Sequence, residues 1–448
     1  MPTDAALEQY LDFLRFGSVS TDPQCRPHVL SCADWLQRKM TAIGLHTEHH
    51  ETPGNPIIVG YGPRKSGRPT VLLYGHYDVQ PVDPVELWRH PPFEPVIENG
   101  LVVARGASDN KGQIFAHLLG IEQTLLETGD LPVNLIVMVE GEEEIGSPNL
   151  APFLEKHRAA LACDVVVISD SSMIAPGQPT FTYGLRGIAA IEATVIGPDH
   201  DLHSGIFGGA VENPVIVLAR LIAGLHDENR RVRIEGFYDG VREIAPWEHE
   251  GWKELPLQEA VLLKMTGAPA LGGEAGYTPL ERIWARPTAE VNGIGGGYQG
   301  EGTKTVLPSR ARAKFTFRLV PDQQPEKIVR LVEDYFRRNA PPSVRLKLST
   351  GHAGAPYLVD PHHGYGGAAQ KALGRLYPGR QPALIREGGS IPIVADFKAI
   401  LGVDTLLLGF CLPDCNAHSP NETFPLEHLD LGLRLNRCLL EEIARGNS

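Results

Sequence analysis

The sequence lacks long apolar runs. No segment reaches about 18 uncharged apolar residues, the length that a helix needs to cross a bilayer. The amino terminus, M-P-T-D-A-A-L-E-Q-Y, also lacks the basic start and continuous apolar stretch of a secretory signal. We therefore expect a cytoplasmic protein without a membrane anchor.

Cysteine is scarce and scattered. The six cysteines include no C-x-x-C pair, and in a large cytosolic chain such residues are usually reduced and buried. Cys411 and Cys415 precede a candidate metal ligand, His418, so a thiolate zinc site is an alternative at this stage. Their four-residue spacing without a second pair speaks against it.

Positive charge is in deficit. The chain has 41 Lys and Arg against 54 Asp and Glu, a formal net charge of -13. A broad electrostatic attraction to nucleic acid or anionic lipid is therefore excluded. The remaining composition, 42% apolar and 21% charged, is typical of globular proteins. The length of 448 residues suits two or three domains of about 150 residues each.

Apolar runs of strand length alternate with helix-period segments in the first part of the chain. The runs lie at 71–74, 135–139 and 165–168, and a helical pattern spans 114–125. This alternation predicts an α/β fold with a mixed, mainly parallel sheet flanked by helices. Continuous apolar strands indicate burial on both faces of that sheet.

The pattern changes near Leu185, where alternating residues, a helical stretch and a Gly-rich segment follow one another. A buried strand pattern of the first type returns at 403–408, and a helix is expected from about Pro425. We therefore predict a discontinuous catalytic domain at 1–184 and 356–448. An α+β domain at 185–355 would be inserted into it.

Two motifs place acidic and histidine side chains beside predicted elements. G-H-Y-D-V-Q-P puts His76 and Asp78 on the same side of an extended chain, at the carboxyl end of a strand. Open α/β sheets bind ligands at that edge. R-G-A-S-D-N-K-G puts Asp109 just ahead of a helix, where a simple N-cap is the plainer interpretation.

A third motif, M-V-E-G-E-E-E-I-G-S, crowds four glutamates at a strand end. Carboxylates so close repel one another unless a cation lies among them or they point into water. Two further candidates, Asp170 and His418, follow later strands, and each alone has an ordinary structural explanation. Together these positions could bring two imidazoles and several carboxylates to one sheet edge. Such mixed ligation suits Zn or Mn, and a carboxylate can bridge two ions.

The chain resembles the dinuclear metallopeptidases that include carnosinase, carboxypeptidase G, acetylornithine deacetylase and succinyl-diaminopimelate desuccinylase. Its pattern is nearest to the carnosinase-like cytosolic dipeptidases. The resemblance covers nearly the whole chain. The motifs that carry it, in the order of the family, are G-H-Y-D-V-Q-P, R-G-A-S-D-N-K-G, E-G-E-E-E-I-G-S, I-S-D, D-L-H-S-G, R-L-V-P, G-G-S-I-P and A-H-S-P-N-E.

This resemblance implies a zinc-peptidase-like catalytic domain that holds two divalent ions, Zn or Mn, with Co as a further choice. By position in the motifs, His76 and Asp170 would hold one ion. Glu144 and His418 would hold the other, and Asp109 would bridge the two.

Further roles are implied in the same way. Glu143 takes the place of the general base, and Asp78 that of the carboxylate that orients the ring of His76. His203 matches a histidine that stabilises the tetrahedral oxyanion, commonly from the partner subunit. Arg318 matches a residue that binds the substrate carboxylate, for which a bidentate guanidinium is well shaped.

The less specific matches are additional substrate contacts at Thr305, Gly389 and Ser390. The family often has a cis peptide bond after the bridging aspartate, which here is the bond from Asp109 to Asn110. The inserted domain is expected to serve as a lid and as the dimerisation surface of a homodimer.

The expected activity is metal-dependent hydrolysis of the amide bond of dipeptides or similar small amides that carry a carboxylate. An N-acyl-amino-acid deacylase with the same metals is the alternative within the class, and a non-catalytic metal-binding protein is the alternative outside it. By resemblance alone, the long insert between about Glu228 and Glu281 favours the dipeptidase.

Overall fold

The computed structural model describes residues 3–389 and 391–446. The chain divides into two compact units. The first comprises 1–183, 359–385 and 393–448, and the second comprises 184–358 and 386–392. No helix within the described residues is long and apolar enough to cross a membrane.

Thirteen α-helices and eighteen strands are described in these residues. The helices are α1 (Asp4–Leu14), α2 (Arg26–Ala42), α3 (Lys111–Thr128), α4 (Leu150–His157), α5 (Ser204–Phe207), α6 (Pro214–Ala223), α7 (Pro246–Lys253), α8 (Glu259–Thr266), α9 (Pro279–Trp284), α10 (Pro325–Asn339), α11 (Gly364–Leu376), α12 (Pro392–Asp396) and α13 (Leu426–Arg445). The strands are β1 (His46–His50), β2 (Ile57–Tyr61), β3 (Thr70–His76), β4 (Val96–Glu98), β5 (Leu101–Val103), β6 (Asn134–Glu140), β7 (Val165–Ile168), β8 (Thr180–Leu185), β9 (Gly187–Ile196), β10 (Leu202–His203), β11 (Thr288–Gly296), β12 (Val306–Leu307), β13 (Arg310–Leu319), β14 (Arg345–Gly354), β15 (Tyr357–Leu358), β16 (Ala383–Glu387), β17 (Asp404–Leu407) and β18 (Thr423–Pro425).

The main sheet of the first unit runs in the order β1-β2-β6-β3-β7-β17-β8. Its four central strands are parallel, and β1, β2 and β8 add antiparallel pairs toward the edges. Every residue of β3 and β6 is buried, as expected for strands covered on both faces. The structure thus confirms the predicted α/β class with a mixed sheet flanked by helices.

Helices α3 and α13 approach each other closely in this unit. A Cβ atom on Gly120 would lie 2.8 Å from the carbonyl oxygen of Leu433, and one on Gly432 would lie 2.6 Å from Cβ of Ala116. Glycine at both positions therefore permits backbone packing that any other residue would push apart.

The second unit contains a four-stranded antiparallel sheet in the order β11-β13-β9-β14. Residues of β13 alternate between buried and more exposed positions, so one face of the sheet is apolar. Helices α6 and α10 cover that face, and Phe315, Phe317 and Phe336 lie in the resulting core. The unit is thus an α+β layer with its own hydrophobic interior.

A buried histidine connects α3 to two other parts of the first unit. The Nε2 atom of His117 lies 2.8 Å from Oγ of Ser169, and the side-chain amide of Asn436 donates to its Nδ1 atom over 3.1 Å. Burial lowers the pKa of His117 to about 4. In the folded protein this ring is therefore neutral at physiological pH.

His117 should contribute a pH-dependent part of the stability. The unfolded chain, with a histidine pKa of about 6.5, binds this proton more readily than the folded chain. The contribution is present above pH ~6.5, and up to about 3 kcal/mol of it is lost as the pH falls toward ~4. His117→Gln should flatten this acid-side loss in chemical unfolding curves at several pH values. The exposed His28→Gln variant is the control, and equal slopes in all three proteins would contradict the assignment.

Candidate metal centre

The parallel strands deliver acidic and histidine residues to one edge of the main sheet. His76 ends β3 and lies opposite Glu140, the last residue of β6. Asp170 follows two residues after the end of β7, which pairs in parallel with β3. Carboxyl ends of parallel strands share an edge, so these positions are neighbours because of the topology.

Asp109 lies between two histidines. Its Oδ1 atom is 3.2 Å from Nε2 of His76, and its Oδ2 atom is 2.9 Å from Nε2 of His418. The same nitrogen of His76 is 3.3 Å from Oδ2 of Asp170, and that of His418 is 3.4 Å from Oε2 of Glu144. One carboxylate thus faces both histidines, with a second acid beside each of them.

The donor atoms fit a divalent cation. One ligand atom from each of His76, Asp109 and Glu144 lies within 4.8 Å of the others. The buried atoms Nε2 of His76 and Oε1 of Glu144 have no hydrogen-bond partner, although carboxylates lie close to the ring nitrogen. Buried polar atoms are normally paired, so these two unpaired atoms fit a site whose donors bind a cation. Imidazole and carboxylate together suit Zn or Mn.

The pKa shifts in the cluster indicate that a cation would replace bound protons. Burial by itself would raise the pKa of Asp109, but the adjacent imidazoles of His418 and His76 hold that pKa below its usual range. The hydrogen bond to Asp109 raises the pKa of His418 to about 9, and burial raises the pKa of Glu144 to about 7. Protons are therefore retained here near neutral pH, and a bound metal would displace them.

Asp78 is hydrogen-bonded to the acidic turn that contains Glu143 and Glu144. Its two carboxylate oxygens accept hydrogen bonds from the backbone N–H groups of Glu143, at 3.2 Å, and Glu144, at 3.1 Å. The Nδ1 atom of His76 lies 3.1 Å from the carbonyl oxygen of Asp78 and 3.4 Å from its carboxylate. Asp78 therefore positions the acidic turn through its side chain and contacts the imidazole mainly through its backbone.

The four glutamates of the third motif separate into two pairs. Glu140 accepts hydrogen bonds from the hydroxyl groups of Tyr74 and Ser147, and Glu142 accepts from the backbone N–H of Asn55 and the side chain of Asn149. These two carboxylates are held by protein donors.

Glu143 and Glu144 form the second pair and begin a short 3-10 helix. Burial raises the pKa of Glu143 well above its usual range. Nearby negative charges, including Asp170 and Glu144, raise it further. The side chain of Glu143 is therefore disposed to accept and hold a proton.

Two amide side chains complete the surroundings of the cluster, and sequence analysis missed both. Gln80 donates to Oε2 of Glu144 over 2.8 Å, and Asn110 donates to Oδ1 of Asp170 over 3.0 Å. Both lie inside the motifs that contain His76 and Asp109, where only acids and histidines drew attention. The peptide bond between Asp109 and Asn110 is cis, which confirms that prediction.

The cysteines do not support the thiolate alternative. All six are free, and the Sγ atom of Cys411 lies 3.1 Å from the carbonyl oxygen of Ser108, to which it donates. Burial raises the pKa of the Cys411 thiol well above its usual range. Among the described residues, the only group of possible ligands contains no cysteine.

His203 and Thr305 belong to the second unit. The Nδ1 atom of His203 accepts a hydrogen bond from the backbone of Gly205 over 3.0 Å, at the start of α5. The carbonyl oxygen of Thr305 accepts from the N–H of Ser204 over 3.0 Å. Both residues thus lie at the pairing of β10 with β12, and their functional roles stay predictions.

Arg318 lies on β13 opposite Ile188 in the same unit. Sequence analysis missed a second arginine there, Arg186, whose Nε atom donates to the carbonyl oxygen of Gly388 over 3.1 Å. Burial lowers the pKa of Arg186 to about 10, and the charge of Arg318 lowers it further. Gly389 is exposed in the adjoining loop.

Ser390, the last predicted substrate contact, lies outside the described residues.

The arrangement around Asp109 defines a metal centre of the hydrolase type, with an available carboxylate beside the ligand atoms. Comparison with known proteins identifies the family. Residues 72–442 match the model of peptidase family M20/M25/M40, and the chain belongs to this family. This confirms the metallopeptidase family and the enzyme class that the motifs predicted.

Relatives of known name cover most of the chain. Cys-Gly metallodipeptidase dug1 of Schizosaccharomyces pombe is 33% identical over 443 residues, which is 95% of this chain and 93% of that protein. Beta-Ala-His dipeptidase of Homo sapiens is 30% identical over 430 residues, which is 92% of this chain and 84% of that protein. Among solved structures, the M20 family metallo-carboxypeptidase Sso-CP2 from Sulfolobus solfataricus aligns with a TM-score of 0.85. The two sequences are 32% identical, and the alignment covers 99% of this chain and 100% of that one.

The cluster should bind divalent cations through Asp109. Zn²⁺ or Mn²⁺ is expected to raise the melting temperature of the metal-free protein, because binding to the folded state alone stabilises it. Asp109→Ala should abolish that increase and the metal content measured by elemental analysis. The exposed Asp12→Ala variant is the control. An unchanged metal content in Asp109→Ala would show that the ions bind elsewhere.

Proposed function

We propose that this chain catalyses metal-dependent hydrolysis of the amide bond of dipeptides or similar small amides that carry a carboxylate. The observation that carries the proposal is the position of Asp109 between two histidines, with Glu143 in the adjoining acidic turn. The relatives named as dipeptidases support the substrate class.

In this proposal His76 and Asp170 would hold one divalent cation, Glu144 and His418 would hold a second, and Asp109 would be shared between them. Zn and Mn suit these donors, and Co is a further choice. When bound, such ions would lower the pKa of a water molecule toward neutrality and polarise a carbonyl group.

Glu143 acts as the general base and then as the general acid. It accepts a proton from the attacking water and delivers it to the departing amine nitrogen. Its buried position supports both steps, because a raised pKa brings the carboxyl group closer to the operating pH. The hydrogen bond from its backbone N–H to Asp78 holds the turn in place during the transfer.

The second unit supplies the remaining roles. We assign the second unit to the inserted lid domain that the sequence predicts at 185–355. We assign the first unit to the catalytic domain. His203 would stabilise the oxyanion, and Arg318 would bind the substrate carboxylate. Thr305, Gly389 and Ser390 would make further substrate contacts. A cytoplasmic location and a homodimer formed through the lid belong to the same proposal.

An N-acyl-amino-acid deacylase remains the alternative activity, since it needs the same cations and the same base. Hydrolysis of a matched panel separates the two: a dipeptide, its carboxyl-terminal amide and the corresponding N-acetyl amino acid. We expect the free dipeptide to have the highest kcat/KM, and chelation to abolish its hydrolysis. Preference for the N-acetyl amino acid would favour the deacylase, and no hydrolysis of any compound would refute both.

Replacement of Glu143 tests the base directly. Glu143→Gln should lower kcat by a factor of about 100 or more, because the amide cannot accept the proton. Its metal content should equal that of the wild type, since Glu143 is not among the proposed ligands. The exposed Glu155→Gln variant on α4 should behave as the wild type. Near-normal turnover in Glu143→Gln would rule out the assignment.

A further inference from the structure

Glu422 is a fully buried carboxylate that no step of the proposed chemistry uses. It follows His418 by four residues, in the segment A-H-S-P-N-E. A buried carboxylate is costly unless donors surround it. The hydrogen bonds that offset this cost therefore show what the residue holds in place.

All of the donors to this carboxylate come from the loop 105–109. Its Oε2 atom accepts from Nη1 of Arg105 at 2.9 Å and from the N–H of Gly106 at 2.8 Å. Its Oε1 atom accepts from the N–H and hydroxyl of Ser108, at 2.8 and 3.2 Å, and from the N–H of Asp109 at 3.0 Å. Five donor groups from four residues of this loop thus converge on one side chain.

The backbone of Glu422 is also fixed against the same loop. Its carbonyl oxygen accepts from the N–H of Ala104 over 3.1 Å, and the next residue, Thr423, pairs with Val103 between β18 and β5. Since Glu422 and His418 share one segment, the carboxylate ties the segment of His418 to the loop of Asp109.

We propose that Glu422 is a positioning residue of the metal centre, which sets Asp109 against His418 so that the shared carboxylate reaches both cation sites. The inference rests on the proposed two-cation function. The physical reason is that a shared ligand must be positioned accurately. A carboxylate that serves two ions has to be held within about 0.5 Å, and a flexible loop would not hold it so closely.

Glu422→Gln keeps the size of the side chain but turns one acceptor into a donor. Whichever way the amide is oriented, its NH2 group faces N–H donors of the loop, so at least two hydrogen bonds are lost. The site of Glu144 and His418 should suffer most, because His418 lies in the same segment as Glu422. We expect its cation affinity to fall about 10- to 100-fold, as for other residues that support metal ligands.

The experiment is a calorimetric titration of the metal-free full-length protein with Zn²⁺ and with Mn²⁺, combined with elemental analysis after dialysis. The wild type should bind two equivalents. Glu422→Gln should retain one equivalent within about threefold and lose affinity at the other, the one that His418→Ala also weakens. Glu422→Asp keeps the charge and should show an intermediate loss. This variant also serves if Glu422→Gln does not fold.

Two comparisons separate positioning from simple destabilisation. Glu248→Gln removes a buried carboxylate paired with Arg386 in the second unit, so it should lower the melting temperature without changing either cation affinity. In a His418→Ala background, Glu422→Gln should cause no further loss at the site of Glu144 and His418, because the coupled ligand is already absent.

The outcomes distinguish this inference from the proposed function. A wild type that binds no divalent cation would refute the proposed function itself. A wild type that binds two equivalents, with unchanged affinities in Glu422→Gln and Glu422→Asp, would overturn only the role of Glu422. Equal losses at both sites, matched by Glu248→Gln, would also overturn it and would leave the residue as a general stabiliser.

Discussion

The contact of one carboxylate with two imidazoles is the constraint on which the rest of this centre depends. Asp109 has to face His76 with one oxygen and His418 with the other, although these residues come from widely separated parts of the chain. Each histidine is accompanied by a further acid, so negative charge accumulates in a largely buried space. Only protons or cations can neutralise it there, and this requirement connects the fold to the chemistry.

The main sheet meets this constraint by arranging strands in parallel. β3, β6 and β7 end at the same edge, so His76, Glu140 and Asp170 become neighbours without any long-range signal in the local sequence. The three other proposed ligands, Asp109, Glu144 and His418, lie outside the strands, so strand pairing does not determine their positions. The buried carboxylate of Asp78 accepts from the backbone N–H of Glu144, and that of Glu422 accepts from the backbone N–H of Asp109.

The difference between strands and loops also explains how far the sequence could be interpreted. Apolar runs predicted β3, β6, β7 and β17 closely, because burial on both faces leaves an unbroken apolar pattern. The motifs predicted the family and the enzyme class, and the match to the family model confirmed both. Periodicity could not show that Glu140 and Glu142 are held by Tyr74 and Asn55, since those contacts cross from one loop or strand to another. Arg186 was missed for the same reason, because its partner Gly388 is about 200 residues away.

The partition of the acidic motif has a consequence for catalysis. If all four glutamates faced the cations, their mutual repulsion would raise each pKa and leave no defined base. Protein donors bind Glu140 and Glu142, which leaves Glu143 and Glu144 for the roles proposed above. Asp78 holds the backbone of Glu143 and Glu144, so that these adjacent residues can take the two roles proposed for them, Glu144 as a ligand and Glu143 as a proton acceptor. Two identical side chains are thus distinguished by the geometry of a single turn.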